Sequence, residues 1–374
     1  MKILHISDSY NGGGAESVFR DTILATEQLG YEVEYFISNG KITPISYTFS
    51  IEYYLKLQGK LNFLKPEIIH IHNYYHFLTP SILLAIKKYK QKNQCKVIFT
   101  AHDYHFICPN SGFQFFNKNV RRNFDINKKN INFLKKFDHR TWFHSYLKVF
   151  QFVLNYKILK LRNVIDVIIS PSEFLKNVFK EYNIKQPIYV IRNPIELKKQ
   201  DIKKIKQNKN KIVMVGRLSP EKGFIEFINK VNNEVNFYLE IHIYGTGELE
   251  EKIKEIKLKS NIKIFMHGYI ERENLIKELN KYDLFVLPSV WYENAPISII
   301  EAGAAGLPIL VPSYGGLIEM ANLTETRYTF KYTEKNLEEI LKKILFLEKN
   351  NKIPNEDIFS FKNYKEKLKE IYEL

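Results

Sequence analysis

The chain has 374 residues, of which 45% are hydrophobic, 14% aromatic and 26% charged. This composition is typical of a globular protein, and it excludes a disordered, collagen-like or coiled-coil chain. The length predicts two or three domains. Only two cysteines occur, Cys95 and Cys108, so we expect no disulfide framework and a cytoplasmic location. A polar N-terminus and the lack of a run of about 20 apolar residues predict neither a signal peptide nor a membrane span.

The formal net charge of +15 is unevenly distributed along the chain. Residues 118–162 carry 12 basic and two acidic side chains, whereas residues 163–374 carry 33 basic and 30 acidic ones. A second lysine-rich run covers 198–211. Nucleic acid, an anionic membrane surface and an ordinary solvated loop are alternative explanations of such runs. In 118–162, aromatic residues alternate with the cations, which favours a functional role for that segment.

The first half of the chain alternates between strand and helix patterns. The first strand is KILHIS, and a glycine-rich turn separates it from a helix between Ala15 and Leu29. Further β-rich runs are YEVEYFIS, EIIHIHN, KVIFTAH, DVIISPS and PIYVIRNPI, with helical patterns such as PSILLAIKKY and SEFLKNVFKEY among them. This alternation predicts a parallel sheet with right-handed crossovers.

The same alternation starts again after a segment rich in Lys, Asn and Gln. Five β-rich runs follow, KIVMVGR, LEIHIYG, KIFMHGY, DLFVLPS and PILVPS. The predicted fold class is therefore α/β, with two doubly wound Rossmann-like domains that face an interdomain cleft. The expected parts are a first domain at 1–197, a linker at 198–210, a second domain at 211–355, and a C-terminal helix at 356–374 that packs on the first domain. Such sheets bind ligands at the carboxyl ends of their strands.

Gly12, Gly13 and Gly14 follow the first strand. Glycines there allow a tight turn and a close approach of a ligand to a helix N-terminus. The run GGGAES does not have the G-x-G-x-x-G spacing of dinucleotide-binding loops. NAD binding, a plain turn and another phosphate or sugar contact remain alternatives.

The second half contains a cationic motif, VGRLSPEKG, in which Arg217 and Lys222 follow a strand. Two cations at the carboxyl end of a strand suit a diphosphate, which needs neutralisation and hydrogen-bond donors. Pro220 between them is expected to open a helix.

A pair of glutamates follows a later strand, Glu293 before a predicted helix and Glu301 within it. Asn294 is expected to cap this helix, with Pro296 in its first turn and free N–H groups over Ala295–Ile297 as an anion site. Eight helical positions rise about 12 Å, which exceeds the separation of the carboxyl pair in a glycosidase. The glutamates therefore suit two parts of one extended ligand.

The whole set of motifs resembles the retaining glycosyltransferases of the GT-B family 4 group. The resemblance covers nearly the full chain, through GGGAE, HIHN, FTAHDYHFICPN, SPSEF, RNPI, GRLSPEKG, YGTGE, HGYI and E-x7-E. It implies transfer of a sugar from a nucleotide diphosphate sugar to a saccharide acceptor, with the acceptor on the first domain and the donor on the second.

The resemblance also implies roles for single residues in donor binding. Arg217 and Lys222 would bind the diphosphate, which Gly13 and Gly14 approach from the first domain. Glu301 would hold the ribose. The base would lie against the backbone of two further donor-binding residues, Gly268 and Tyr269.

Two residues, His102 and Glu293, are implied at the reacting sugar. Both are expected to position it and to act electrostatically, not as a general base and a nucleophile. The backbone of 294–297 would assist Glu293, although Pro296 lacks one N–H where the family usually has a glycine-containing run. His72 and Asn73 are expected on the acceptor side.

The mechanism implied by the resemblance is metal-independent and retains the configuration of the sugar. No D-x-D motif occurs in the chain. Arg217, Lys222 and the helix N-terminus can stabilise the leaving diphosphate, and the leaving phosphate would accept the proton of the acceptor in a front-face attack. No cofactor is expected beyond the nucleotide sugar, which is the donor substrate.

Histidines near the strand ends raise the alternative of a zinc site. His70 and His72 share one face of a strand, and His102 and His105 follow another. Zinc needs three or four converging ligands, and the spacing does not enforce this, so we predict no metal. Cys108 is expected to be a buried, unreactive thiol.

The basic aromatic segment at 118–162 leaves two interpretations open. Its aromatic residues either lie in the headgroup region of an anionic membrane or cover the sheet as a buried helix; they are Trp142, Phe143, Tyr146, Phe150 and Phe152. The membrane interpretation implies a protein on the inner face of the membrane, with a lipid-linked acceptor for polysaccharide, lipopolysaccharide or glycolipid assembly.

Two other functions remain as alternatives. A sugar-nucleotide epimerase of the same fold would act on the donor alone. A nucleic-acid-binding protein would lose affinity steeply with salt, but no nucleic-acid-reading motif is present, so nucleic acid is not an expected partner.

Overall fold

The computed structural model describes residues 1–40, 43–118, 120–128, 130–195, 210–346, 352–353 and 355–374. The chain forms two compact units, one of residues 1–194 with 358–374 and the other of residues 195–357. Apart from Asn210, the linker expected at 198–210 lies outside the described residues.

The first unit is a parallel sheet covered by helices, with a small antiparallel hairpin. Its elements are β1 (Lys2–Ser7), α1 (Gly14–Gln28), β2 (Glu32–Ile37), α2 (Pro44–Thr48), α3 (Ile51–Leu64), β3 (Ile68–Ile71), α4 (Ser81–Lys90), β4 (Lys96–Thr100), β5 (Gln114–Asn117), β6 (Val120–Asn123), α5 (Trp142–Phe152), β7 (Val167–Ser170), α6 (Glu173–Glu181) and β8 (Ile188–Val190). The sheet order is β2-β1-β3-β4-β7-β8, and β5 pairs with β6. Every residue of β3 and β7 is buried, as expected for parallel strands covered on both faces.

The second unit repeats this architecture. Its elements are β9 (Lys211–Val215), α7 (Phe224–Glu234), β10 (Leu239–Tyr244), α8 (Glu250–Lys254), β11 (Ile262–Gly268), α9 (Arg272–Leu279), β12 (Leu284–Val286), α10 (Ile297–Ala304), β13 (Ile309–Pro312), α11 (Gly316–Asn322), β14 (Arg327–Phe330) and α12 (Leu337–Leu345). The sheet order is β11-β10-β9-β12-β13-β14, and all its pairings are parallel. The edge strand β14 was not among the predicted strands, because its sequence, RYTF, has only one fully buried residue.

The last helix, α13 (Phe361–Glu373), belongs to the first unit. Its apolar stripe packs beside α1, and the hydroxyl of Tyr364 lies 2.7 Å from that of Thr22. Near the end of α13, the Tyr372 hydroxyl lies 2.8 Å from Nδ1 of His70 on β3. These buried hydrogen bonds fix the end of the chain against the first sheet.

Helix α5 shows that neither interpretation of the basic aromatic segment was complete. The side chains of Trp142, Phe143, Tyr146 and Phe150 are 50–63% exposed, so they do not cover the sheet. Phe152 is 1% exposed and packs inside the unit, so for this residue the buried alternative is right and the membrane contact is excluded. The helix continues as a π-helical turn over Val153–Ile158.

Candidate functional site

Several predicted site residues of each unit follow the central strand of its sheet or the strand beside it. In the first unit β1 lies between β2 and β3, and in the second unit β9 lies between β10 and β12. The order of strands along the chain reverses at these positions, and the loops at the carboxyl ends of the two central strands diverge there. Open α/β sheets bind ligands in this crevice.

Gly13 and Gly14 form the start of α1 in the first unit. Gly13 is the N-cap and Gly14 the first helical residue. A Cβ atom at Gly14 would meet no atom within 4 Å, and at Gly13 the nearest atom, Oε2 of Glu16, would be 3.8 Å away. Packing within the unit therefore does not require glycine at either position. The absence of side chains leaves the helix N-terminus accessible to a ligand.

His72 and His102, predicted for different parts of the site, lie in direct contact. Nδ1 of His72 is 3.1 Å from Nε2 of His102, and the two rings stack with their centroids 5.3 Å apart. Burial lowers the pKa of His102 to about 4 and the pKa of His72 well below its ordinary range. Both rings are therefore neutral at physiological pH, and one donates to the other.

Asp8, which the sequence analysis did not select, organises the loop that carries Asn73. Its carboxylate accepts three hydrogen bonds of 2.8–3.0 Å from the N–H groups of residues 76–78. Its own N–H donates to the carbonyl of Asn73 over 2.7 Å. A buried carboxylate directly after the first strand thus fixes the loop after β3. Its position after a strand end was the available signal.

Three buried imidazoles, His5, His70 and His72, have ligand atoms within 4.8 Å of one another. Both ring nitrogens of His70 are already engaged, by the hydroxyls of Thr100 and Tyr372. Two histidines then remain, fewer than the three or four protein ligands of zinc sites. The prediction that no metal takes part stays a prediction.

In the second unit, Lys222 and Glu293 form an ion pair at the switch point. Nζ of Lys222 lies 2.6 Å from Oε1 of Glu293, and the two side chains are 19% and 8% exposed. Ser289 donates to the same carboxylate oxygen over 2.7 Å, and the Lys222 ammonium lies 5.7 Å from the centroid of the Trp291 ring. The cation predicted for the diphosphate and the carboxylate predicted for the sugar are thus one bonded pair.

Arg217 lies on the same loop after β9 as Lys222 and is more accessible. Its side chain is 70% exposed, and its NH2 group donates to Oε1 of Glu221 over 3.1 Å. Glu221 also accepts a 2.6 Å hydrogen bond from Ser219. As predicted, Pro220 opens a helical turn, a 3-10 turn over Pro220–Lys222.

Two glycines hold the loops of the ion pair together by close backbone contact. Gly223 has φ 70°, and a Cβ atom there would lie 2.1 Å from the carbonyl oxygen of Pro288. Gly316 donates its N–H to the carbonyl of Glu293 over 2.8 Å, and a Cβ atom there would lie 2.0 Å from the carbonyl oxygen of Asn294. Gly223 was predicted only as part of a motif, and Gly316 was not among the predicted site residues.

Glu301 is held by a partner that the sequence analysis missed. Nε of Arg272, the first residue of α9, lies 2.6 Å from Oε1 of Glu301. Burial raises the pKa of Glu301, and the adjacent guanidinium opposes that change. Arg272 therefore favours the ionised carboxylate, which is the form that accepts hydrogen bonds from a diol.

The predicted base-binding residues, Gly268 and Tyr269, lie together at the carboxyl end of the edge strand β11. Gly268 ends β11, and its carbonyl accepts a 2.7 Å hydrogen bond from the N–H of Gly245. Tyr269 follows it with a side chain that is 75% exposed.

The predicted start of the helix after Glu293 was wrong. Helix α10 begins at Ile297 and has Pro296 as its N-cap, so Asn294 does not cap it and Ala295 lies before it. Pro296 has an extended ψ of 112°, which delays the helix. The first two helical N–H groups are therefore those of Ile297 and Ser298.

Cys108 is fully buried, as predicted, and burial raises the pKa of its thiol. The thiol is therefore protonated at neutral pH and has no nucleophilic thiolate. Among the described residues, none of the helices combines the length and the apolar character that crossing a bilayer requires.

Comparison with known proteins identifies the family of both units. The model described as Glycosyltransferase Family 4 matches residues 12–199, and the model described as Glycosyl transferases group 1 matches residues 196–366. The chain is 26% identical over 272 residues to an uncharacterized 42.6 kDa protein in the cps region of Klebsiella pneumoniae, over 71% of this chain and 62% of that protein.

A second relative has a named activity. The chain is 32% identical over 167 residues to the Escherichia coli UDP-Gal:alpha-D-GlcNAc-diphosphoundecaprenol alpha-1,3-galactosyltransferase, over 38% of this chain and 42% of that protein. These matches span less than two thirds of either relative's length. Neither relative supports the epimerase or the nucleic-acid alternative.

The fold is that of a solved glycosyltransferase. Sucrose-phosphate synthase from Thermosynechococcus elongatus matches with a TM-score of 0.73 and 15% identity, over 100% of this chain and 98% of that chain. The predicted GT-B class with two Rossmann-like domains is confirmed.

Proposed function

The chain belongs to glycosyltransferase family 4, the group 1 glycosyl transferases, and we propose that it moves a sugar from a nucleotide diphosphate sugar to a saccharide acceptor. The observation that carries this proposal is the Lys222–Glu293 ion pair at the switch point of the second sheet, with Arg217 on the same loop as Lys222. Two cations there suit a diphosphate, and a carboxylate bonded to one of them suits the hydroxyls of the attached sugar.

The donor is proposed to lie along the carboxyl edge of the second sheet. Arg217 and Lys222 bind its diphosphate, and Glu301, whose ionised form Arg272 favours, accepts hydrogen bonds from the ribose. The base lies against the backbone of Gly268 and Tyr269. A uridine nucleotide is the proposed donor class, because the name of the Escherichia coli relative gives UDP-Gal as its substrate.

The reaction is proposed to proceed without a metal and with retention of configuration. The bond between the anomeric carbon and the diphosphate oxygen breaks, and the negative charge on that oxygen is neutralised by Arg217, Lys222 and the N-terminus of α10. The acceptor hydroxyl forms the new bond from the same face and gives its proton to the departing phosphate. Gly13 and Gly14 are proposed as further contacts of that phosphate.

Glu293 and His102 are proposed to position the sugar. Oε1 of Glu293 already accepts from Lys222 and Ser289, so the carboxylate is a weak nucleophile and a suitable acceptor for sugar hydroxyls. His102 is neutral, and its contact with His72 fixes the ring. His72 and Asn73 are proposed on the acceptor side.

The proposed acceptor is a lipid-linked saccharide, used in the assembly of a surface polysaccharide or lipopolysaccharide. The support is the name of the Escherichia coli relative, whose acceptor is joined to diphosphoundecaprenol. Such an acceptor has its lipid in a bilayer, so we place the enzyme in the cytoplasm, peripherally on the inner face of the membrane.

Thermal unfolding in EDTA tests the donor site. UDP, GDP, CMP and NAD are compared on the wild type, on Arg217→Ala and on Arg327→Ala, which removes an arginine bonded to Asn322 away from the predicted site. At 100 times its Kd, a ligand stabilises the protein by about 2.7 kcal/mol. We expect one nucleoside diphosphate to give this stabilisation in the wild type and in Arg327→Ala, and to give none in Arg217→Ala. A lack of response to every nucleotide refutes the proposal, and a response that requires a divalent ion refutes its metal independence.

Retention is tested by the anomeric configuration of the product. Proton NMR of the disaccharide formed from an α-linked donor is expected to show an α linkage, and a β linkage contradicts the mechanism.

A further inference from the structure

Helix α5 exposes a stripe of large aromatic side chains. Four aromatic side chains point outward over the length of the helix and are 50–63% exposed: Trp142, Phe143, Tyr146 and Phe150. Ile158, in the turn that continues α5, is 65% exposed. A helix of a globular unit normally buries such a stripe and exposes its polar face.

The buried side of α5 and of the π-helical turn after it carries polar side chains beside Phe152 and Tyr156. Ser145 is 1% exposed and Gln151 and Asn155 are fully buried. Ser145 Oγ accepts a 2.6 Å hydrogen bond from the N–H of Phe137, and Gln151 donates to the backbone carbonyls of Tyr47 and Tyr75. Hydrogen bonds to neighbouring loops thus set the rotation of the helix and fix its aromatic face outward.

A basic cavity opens beside the first turn of α5. Its volume is about 320 Å³, and Trp142 forms part of its wall. Three lysines also line it, Lys118, Lys135 and Lys136, together with the 85% exposed side chain of Leu134. At the other end of the aromatic face, Lys157 and Lys160 are exposed. Cations therefore flank the apolar face at both ends.

We propose that this face of α5 docks on an anionic phospholipid bilayer, with a lipid phosphate in the basic cavity and the aromatic side chains among the acyl chains below it. The proposal deepens, and rests on, the proposed function, because it supplies the surface by which the transferase reaches a lipid-linked acceptor. Aromatic residues at the interface and lysines at headgroup level are the arrangement of an in-plane membrane helix.

The charge of the surrounding segment favours a membrane over a second copy of the chain. Residues 118–162 carry 12 basic and two acidic side chains. One of the acidic residues, Asp138, is buried and bonded to Arg140 and Lys148. Two such surfaces repel each other, whereas an anionic leaflet attracts each of them.

Trp142 is a direct reporter of docking, because the chain contains only one other tryptophan, Trp291. In a Trp291→Phe protein, fluorescence reports on Trp142 alone. We expect a blue shift with phosphatidylglycerol–phosphatidylcholine vesicles, none with pure phosphatidylcholine vesicles, and quenching by lipids brominated near the headgroup. An unshifted spectrum with anionic vesicles overturns the proposal.

Vesicle co-sedimentation tests the face and the cavity separately. A variant with serine at the four aromatic positions of α5 is expected to lose binding at least about tenfold. Lys118→Gln with Lys135→Gln is expected to abolish the preference for anionic vesicles. The matched control is Phe63→Ser with Phe346→Ser, which removes two rings that are 87% and 73% exposed elsewhere. An equal loss of vesicle binding in the control, or wild-type vesicle binding in the serine variant, shows that this face of α5 is not the docking surface.

Two further measurements separate the possible failures. Sedimentation equilibrium of the wild type is expected to give a monomer; a dimer that the serine variant dissociates shows a second copy as the occupant and overturns the membrane proposal. Stabilisation by UDP is expected to be the same in the serine variant and the wild type. Vesicle binding without any nucleotide binding refutes the proposed function but supports the docking surface. Nucleotide binding without vesicle binding supports the proposed function but refutes the docking surface.

Discussion

A double-mutant cycle on Lys222 and Glu293 separates the structural and functional parts of the donor site. Lys222→Met leaves the Glu293 carboxylate, 8% exposed, without its cation. Breaking a buried ion pair costs about 3–5 kcal/mol. Lys222 is itself 19% exposed, and Ser289 still donates to the carboxylate, so we expect a loss of about 2–3 kcal/mol.

The double variant Lys222→Met with Glu293→Gln removes both charges together. The isolated buried carboxylate is then absent, so we expect the free energy of unfolding to return to within about 1 kcal/mol of the wild type. Binding of a nucleoside diphosphate stays weak in both variants, because each lacks the ammonium that neutralises the phosphate.

Urea unfolding of the full chain and calorimetric titration with UDP measure the two quantities. Lys331→Met is the control, because it breaks an exposed lysine–glutamate pair of the same unit, and we expect a cost below about 1 kcal/mol. A double variant that is as unstable as Lys222→Met, or that binds UDP as the wild type does, contradicts these roles of the ion pair.

Three other predictions concern pH and backbone geometry. In Arg272→Gln the pKa of Glu301 rises further, so the carboxylate becomes protonated at a higher pH. As the pH is lowered, we therefore expect the affinity for UDP, measured by titration, to fall at a higher pH in this variant than in the wild type. Arg272→Lys should restore the wild-type pH profile, and identical profiles for Arg272→Gln and the wild type contradict the role of Arg272. The pKa values of His5 and His102 are lowered to about 3 and about 4 in the folded protein. As the pH falls below about 6.5, these two histidines are therefore protonated in the unfolded chain before they are protonated in the folded one. At pH 5 we expect each ring to lower the free energy of unfolding by about 2 kcal/mol. Urea unfolding at pH 7.5 and pH 5 measures this loss, which should persist when the exposed His139 is replaced by Gln; equal stability at the two pH values contradicts it. In Gly223→Ala the new Cβ atom clashes with the carbonyl oxygen of Pro288. Gly30 has a similar φ of 82° but open space around it, and we expect Gly30→Ala to lower the free energy of unfolding by about 1–2 kcal/mol. Gly223→Ala should lower it further, and equal melting temperatures for the two variants contradict the close contact at Gly223.

Much of the fold follows from patterns that are local in the chain. A run such as IIHI is buried along its whole length, and parallel strands covered on both faces require such runs. The loops at the carboxyl ends of strands carry glycines and charged residues, so Arg217, Lys222 and Glu293 stand out as candidate ligand contacts from their sequence positions alone. The start of α10 was misjudged because Pro296 takes an extended backbone where a helical turn was expected.

The pairing of these residues was decided only by the tertiary structure. Lys222 and Glu293 are 71 positions apart, and their contact depends on β9 and β12 being neighbours in the sheet. The bond between Arg272 and Glu301 likewise depends on the packing of α9 against α10. The composition of α5 showed an aromatic and basic helix, but the hydrogen bonds of buried Gln151 determine which face points outward. Composition and periodicity are properties of a segment, whereas orientation and pairing depend on which surfaces the rest of the unit places beside it.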